Sequence, residues 1–252
     1  MDYKTYLVFG AAGTVGKAVV RALLGPGHRV FAIVHTDAQA HEWPEEDDLL
    51  ASAILVKAGD TADLDWWDAH PSFFGPYCGK IDAVIYAVEH VLGDDGNESR
   101  RWEVPSTGMI VSSFGYNGAR DKISKGMYNM SRSAGPLLKD GGSMVFISPA
   151  ITGMAEQGSP CSQEQTHGYA HMITHQKYMV DSERKALIRG DPDTLAYIVP
   201  NAKMHSIVPA FRIKSHQRQE FELPKKIPTE AVAQATLEVL ASNEHTDKVI
   251  EY

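Results

Sequence analysis

Tyr6-Leu7-Val8-Phe9-Gly10-Ala11-Ala12-Gly13-Thr14-Val15-Gly16 is a short apolar run followed by three glycines spaced G-x-x-G-x-x-G. Lys17-Ala18-Val19-Val20-Arg21-Ala22-Leu23-Leu24 continues with apolar residues at helical spacing and stops at Gly25-Pro26-Gly27. The order is strand, glycine turn, helix, the context in which such a motif is credible as a dinucleotide site. One glycine permits a tight turn, one lets backbone approach a pyrophosphate, and one lets helix and strand pack closely. The N–H groups and dipole of the helix N-terminus suit phosphate oxygens. Gly10, Ala12, Gly13, Thr14, Val15 and Gly16 are therefore the expected cofactor-binding residues of this turn. The plainer alternative is a glycine turn in an ordinary α/β unit, and the flanking strand and helix weigh against it.

Outward from this unit, residues 28–34 read as a second strand, parallel to the first through the crossover helix, with His35 at its tip. A carboxylate at that tip would take a ribose 2′-OH and a basic group a 2′-phosphate, so His35 leans the expectation toward NADP, with NAD as the alternative. Residues 53–57 are a third strand, after which Asp60 and Thr61 stand where an acid can reach the adenine edge. Residues 81–88 are a near-continuous apolar run, as a buried parallel strand requires, and Ala87 at its tip joins the cofactor set. Residues 89–118 are irregular, and a stretch of this length points to a functional loop.

In the second half, a helix is expected over 120–139, a fifth strand over 142–148, a long helix over 169–189 closed by Gly190-Asp191-Pro192, and a sixth strand over 194–199 ending at Pro200-Asn201. A helix opened by Pro228 runs to Ala241, and residues 248–251 close the sheet. Alternating strands and helices mean an α/β fold, a doubly wound parallel sheet (Rossmann-like) in a single domain over 1–252.

Composition agrees. The chain has 252 residues, a net charge of −8, and only Cys78 and Cys161 as cysteines. No long basic block is present, so nucleic acid is not the expected partner. Two cysteines are too few for a disulfide framework, no signal-peptide core follows Met1, and no run reaches membrane-spanning length. The expectation is a cytoplasmic protein with a small-molecule substrate and no membrane partner, able to form a homo-oligomer.

The pattern resembles the short-chain dehydrogenase/reductase superfamily over essentially the whole chain. Gly10 to Gly16 looks like the glycine motif of its extended and atypical members, residues 27–35 like its second strand, and Gly59-Asp60 like its adenine-contacting acid. Residues 143–148 look like the strand that carries its catalytic Ser, which places Ser148, and Ile227-Pro228-Thr229-Glu230 like its late helix start. The resemblance implies an NAD(P)-dependent oxidoreductase. The chain departs from the family at the proton relay, which is a Tyr with a Lys four residues later on one helix face. No Tyr here has that Lys: Tyr169 is followed by Ile173 and Tyr178 by Ser182. An alignment of residues 206–210 with the family's strand ending in Pro-Gly puts Tyr178 at the catalytic position; a strand at 194–199 leaves both Tyr169 and Tyr178 open, with Pro200 and Asn201 lining the nicotinamide end.

His167, His171 and His175 stand four apart, with Glu164 three before the first. On a helix they share a face. A metal site is the lesser reading and none is assigned. The plainer alternative is a set of polar helix-face histidines at the mouth of a nucleotide cleft; cleft histidines giving a proton near neutral pH are favoured over a metal, so His171 and His175 join Ser148, Tyr169 and Tyr178 as catalytic candidates. The leading expectation is oxidoreduction of a small carbonyl or conjugated compound. A non-catalytic dinucleotide-sensing regulator and a non-redox isomerase or cyclase are the alternatives.

Overall fold

The computed structural model describes residues 3–34, 37–41, 43, 47–57, 75–88, 115–148, 150–151, 163–210, 212–215, 220–222 and 227–251. His35, Asp60 and Thr61 lie outside them, as does the side chain of His171.

The first unit forms as its sequence dictates. β1 (Thr5–Phe9) is buried from Tyr6 onward, and α1 (Thr14–Leu24) buries Val15, Val19, Val20, Leu23 and Leu24 along one stripe. β2 (Arg29–Val34) follows, then two short helices, α2 (Asp37–His41) and α3 (Asp48–Ala51), and β3 (Ile54–Lys57). β4 (Ile81–Tyr86), α4 (Gly115–Ala134), β5 (Leu138–Ile147) and α5 (Gln163–Arg189) complete the middle of the chain.

The strand expected at 194–199 is not formed. Gly190 adopts φ +69 and ends α5, with its N–H and that of Asp191 donating to Leu187 O and Ala186 O. Asp191 then caps a one-turn helix, α6 (Pro192–Leu195), by accepting from Asp193 N–H, with Pro192 at the tolerated first position. The sixth strand is β6 (Lys203–Pro209). A small antiparallel pair, β7 (Arg212–Ser215) and β8 (Glu220–Glu222), precedes α7 (Thr229–Ala241) and β9 (Thr246–Ile250).

The seven-stranded sheet runs β3-β2-β1-β4-β5-β6-β9, with every pairing parallel. α1 packs with α7 on one face and α4 with α5 on the other, so the sheet is doubly wound. The core is the inner strands: Leu7, Val8, Phe9, Val84, Ile85, Val145 and Ile147 are at most 1% exposed. Because β1 and β4 lie side by side at the centre while the chain winds outward from each, their carboxyl ends form the crevice where ligands of such sheets bind. Among the described residues, no helix is long and apolar enough to cross a membrane.

Candidate cofactor and substrate site

The crevice begins at Gly10. Its φ is +75, and a Cβ there would stand 2.4 Å from Ala87 O, so only glycine lets the turn lie against the tip of β4. Ala87 N–H donates to Phe9 O, Ala11 N–H to Ile33 O, and Gly13 N–H to Gly10 O, which ties the turn to both neighbouring strands. A Cβ on Gly16 would meet Gly10 O at 2.0 Å, so the first turn of α1 sits directly on the strand end. Gly13 is the N-cap residue, with φ −69 and ψ 166; no side chain caps the helix and its first turn carries no acid. A helix start without cap or carboxylate leaves its positive end for a bound anion. Gly10, Ala12, Gly13, Thr14, Val15, Gly16 and Ala87 are thereby together at one place.

Ser148 follows β5 at the same end of the sheet and is fully buried. Its N–H donates to Ile207 O (2.9 Å), its carbonyl accepts from Ile151 N–H (2.9 Å), and its Oγ accepts from Ala150 N–H (3.3 Å). Both backbone groups and the Oγ acceptor are thus engaged in holding the residue at the strand tip.

α5 starts over this end and runs down the sheet. Gln176 Nε2 donates to Phe146 O (2.9 Å) and Ser206 Oγ (3.1 Å), while Arg184, two turns on, donates to Met204 O (2.9 Å), nearer the amino end of β6. These bonds fix the helix phase. Tyr169, Ile173, Gln176 and Val180 are all at most 1% exposed and form the stripe against the sheet. Tyr178 falls on the far side and is 71% exposed, so it is not part of the crevice. His171 lies between the buried positions 170 and 172 near the helix start, and His175, half-buried, is one turn on.

Pro200 and Asn201 are a correction. They precede β6, so they stand at the amino end of the sheet, opposite the glycine turn, where Asn201 Nδ2 donates to Asp140 Oδ1 (2.7 Å). The displacement follows from the shift of the sixth strand by nine residues at its start, from 194 to 203. The carboxyl end of that strand is Pro209, which now takes the place expected for Pro200. Gln176 was missed altogether, although its position in the 169, 173, 176, 180 stripe marks it as a core amide needing partners.

Residues 6–107 match the model of the NAD dependent epimerase/dehydratase family. No curated protein matches the chain by sequence. Solved structures resemble it over nearly their whole lengths. A beta-ketoacyl-ACP reductase from Bacteroides thetaiotaomicron shares 12% identity, covering 99% of this chain and 96% of that one with a TM-score of 0.59. A protein from Burkholderia xenovorans assigned to the short-chain dehydrogenase/reductases shares 14%, covering 100% and 97%, with a TM-score of 0.64. BdcA in complex with NADPH shares 15%, covering 98% and 93%, with a TM-score of 0.61. At these identities the likeness is one of fold: the seven-stranded doubly wound sheet of the short-chain dehydrogenase/reductases.

Proposed function

We propose that the chain is an NAD(P)-dependent oxidoreductase acting on a small carbonyl or conjugated compound, with NADP the preferred cofactor. The observation that carries this reading is the glycine turn: Gly10 at positive φ against Ala87 O, and Gly16 against Gly10 O, under an uncapped helix start. That cradle fits a pyrophosphate, it lies within residues 6–107 matched by the family model, and one structural neighbour is a complex with NADPH. When bound, the dinucleotide supplies the hydride chemistry.

The chain's own residues hold the reactants and the proton. The first-turn N–H groups of α1 take phosphate oxygens. Ser148 donates its O–H to the substrate oxygen and polarises it. His171 or His175 holds the proton that this oxygen gains, since an imidazole is partly protonated near neutral pH. Tyr169 is the rival donor. It is as fully buried as Ser148 and lies on the α5 stripe that faces the sheet. We place the protein in the cytoplasm, with a small molecule as partner.

Turnover of NADPH against a panel of small aldehydes, ketones and enones tests this. Oxidation of NADPH that depends on one of these compounds and is lost on Ser148→Ala supports it. Tight NADPH binding with no turnover on any of them selects the dinucleotide-sensing regulator.

A further inference from the structure

At the end of the sheet opposite the glycine turn lies a groove of about 570 Å³, between the last turn of α5, residues 200–203 and the turn before β9. Its volume is that of a small-molecule site. Leu187, Ile188, Pro200 and Ala202 form its apolar side, and Lys203, Asn243 and His245 its polar side. Ile188 is 74% exposed at the rim.

Three donors line it with capacity to spare. Met204 N–H donates to His245 Nδ1 (3.0 Å), so the neutral ring carries its proton on Nε2. Burial and then the charge of Arg184 hold this imidazole below its ordinary range, which keeps it neutral. Among the described residues, nothing accepts from that Nε2–H. Lys203 Nζ donates to Gly141 O (3.2 Å) and forms no ion pair among the described residues. Asn243 is exposed, and its amide makes no hydrogen bond among them. The nearby Arg184 guanidinium is ion-paired with both Asp181 (3.2 Å) and Asp247 (2.7 Å), so it lends the groove no net positive charge and the attraction for an anion rests on Lys203.

Two features limit the charge of a ligand. Glu244 lines the same groove, and the negative end of α5 points toward it. Both oppose a dianion such as phosphate more strongly than a monoanion. An ammonium, an imidazole N–H and an amide beside an aliphatic wall suit one carboxylate attached to an apolar body.

We propose that this groove binds a small organic monocarboxylate, its carboxylate taken by Lys203, His245 and Asn243 and its apolar body laid on Leu187, Ile188 and Pro200. The site is separate from the glycine turn and stands whether or not the chain turns over NADPH.

Amide shifts of the full chain, followed by NMR, test the proposal with three probes: hexanoate, hexan-1-ol and acetate. Hexanoate should give saturable shifts confined to residues 187–189, 200–204 and 243–246. The alcohol lacks the charge and acetate lacks the body, so each should bind at least about tenfold more weakly. Lys203→Met should weaken hexanoate about tenfold. Glu244→Gln should tighten it by removing the opposing charge, and Ile188→Ser should weaken it. The last two positions are exposed, so these variants carry the test if Lys203→Met does not fold. The proposal is overturned if hexan-1-ol binds as well as hexanoate, if hexanoate shifts only the glycine turn or nothing, or if Glu244→Gln and Ile188→Ser leave its affinity unchanged.

Discussion

His205 makes the fold sensitive to mild acid, and the size of the effect follows from its surroundings. It sits in the middle of β6 with no exposed surface; Nε2 shares a hydrogen bond with Ser143 Oγ (3.3 Å), and Nδ1 is buried without a hydrogen-bond partner among the described residues. Burial first, then the positive charge of Arg184, of His245 once it too is protonated, and of Lys203, push its pKa down to about 4, against an opposing pull from Asp247. The unfolded chain takes up a proton near pH 6.5 that the folded chain refuses until about pH 4. Stability from this residue is therefore complete above about pH 6.5 and falls by about 1.4 kcal/mol per pH unit below it, reaching a loss of about 3 kcal/mol near pH 4. Urea unfolding of the parent and of His205→Leu, at about pH 7.5 and about pH 4.5, isolates the term. The parent should lose about 2 to 3 kcal/mol more than the variant between the two pH values. Equal losses would refute the reasoning, whatever the variant's stability at the higher pH.

Three further outcomes follow from the crevice. Gly16→Ala drives a Cβ into Gly10 O, 2.0 Å away, and should lower stability by about 3 kcal/mol or more, read as a fall in Tm. His35→Asp should shift preference from NADPH toward NADH, because a carboxylate at the tip of the second strand favours a ribose hydroxyl over a phosphate; a parent that prefers NADH contradicts this. Reductase activity should fall as pH rises through about 6 to 8, where an imidazole loses its proton, and either His171→Asn or His175→Asn should abolish that fall, while Tyr178→Phe, on the outer surface, changes nothing. If Tyr169→Phe is inactive and both Asn variants keep the parent profile, the relay is a tyrosine.

The glycine turn and the first four strands were legible because their determinants are local. An apolar run, a glycine spacing and a helical stripe all sit within a few residues of one another. The sixth strand was not. Residues 194–199 are apolar enough to pass for a buried strand, but Asp191 and Pro192 before them form a cap and first helical position. The true β6 hides behind His205 and Ser206, polar residues that are buried only because Ser143 and Gln176 meet them from β5 and α5. Such partners are distant in sequence, and no pattern within the strand announces them. The same holds for the choice between Tyr169 and Tyr178. Both are on α5, and the helix phase that buries one and exposes the other is set by packing against the sheet. β5 begins at Leu138, four residues before 142 and inside the stretch expected to be helix to 139; the helix ends at Ala134, and Gly141 takes φ +70 within the strand.

Binding of NADPH to the parent and to Gly13→Val, by calorimetry with Tm recorded alongside, tests the central claim most directly. Gly13 lies at φ −69 and ψ 166, extended backbone that valine adopts readily, so the substitution fills the phosphate approach without straining the turn. The parent should bind NADPH saturably, and Gly13→Val should lose that binding with only the small fall in Tm that a poorer N-cap residue brings. A parent that does not bind NADPH, or a variant that binds it as tightly as the parent, contradicts the assignment of the glycine turn as a dinucleotide site.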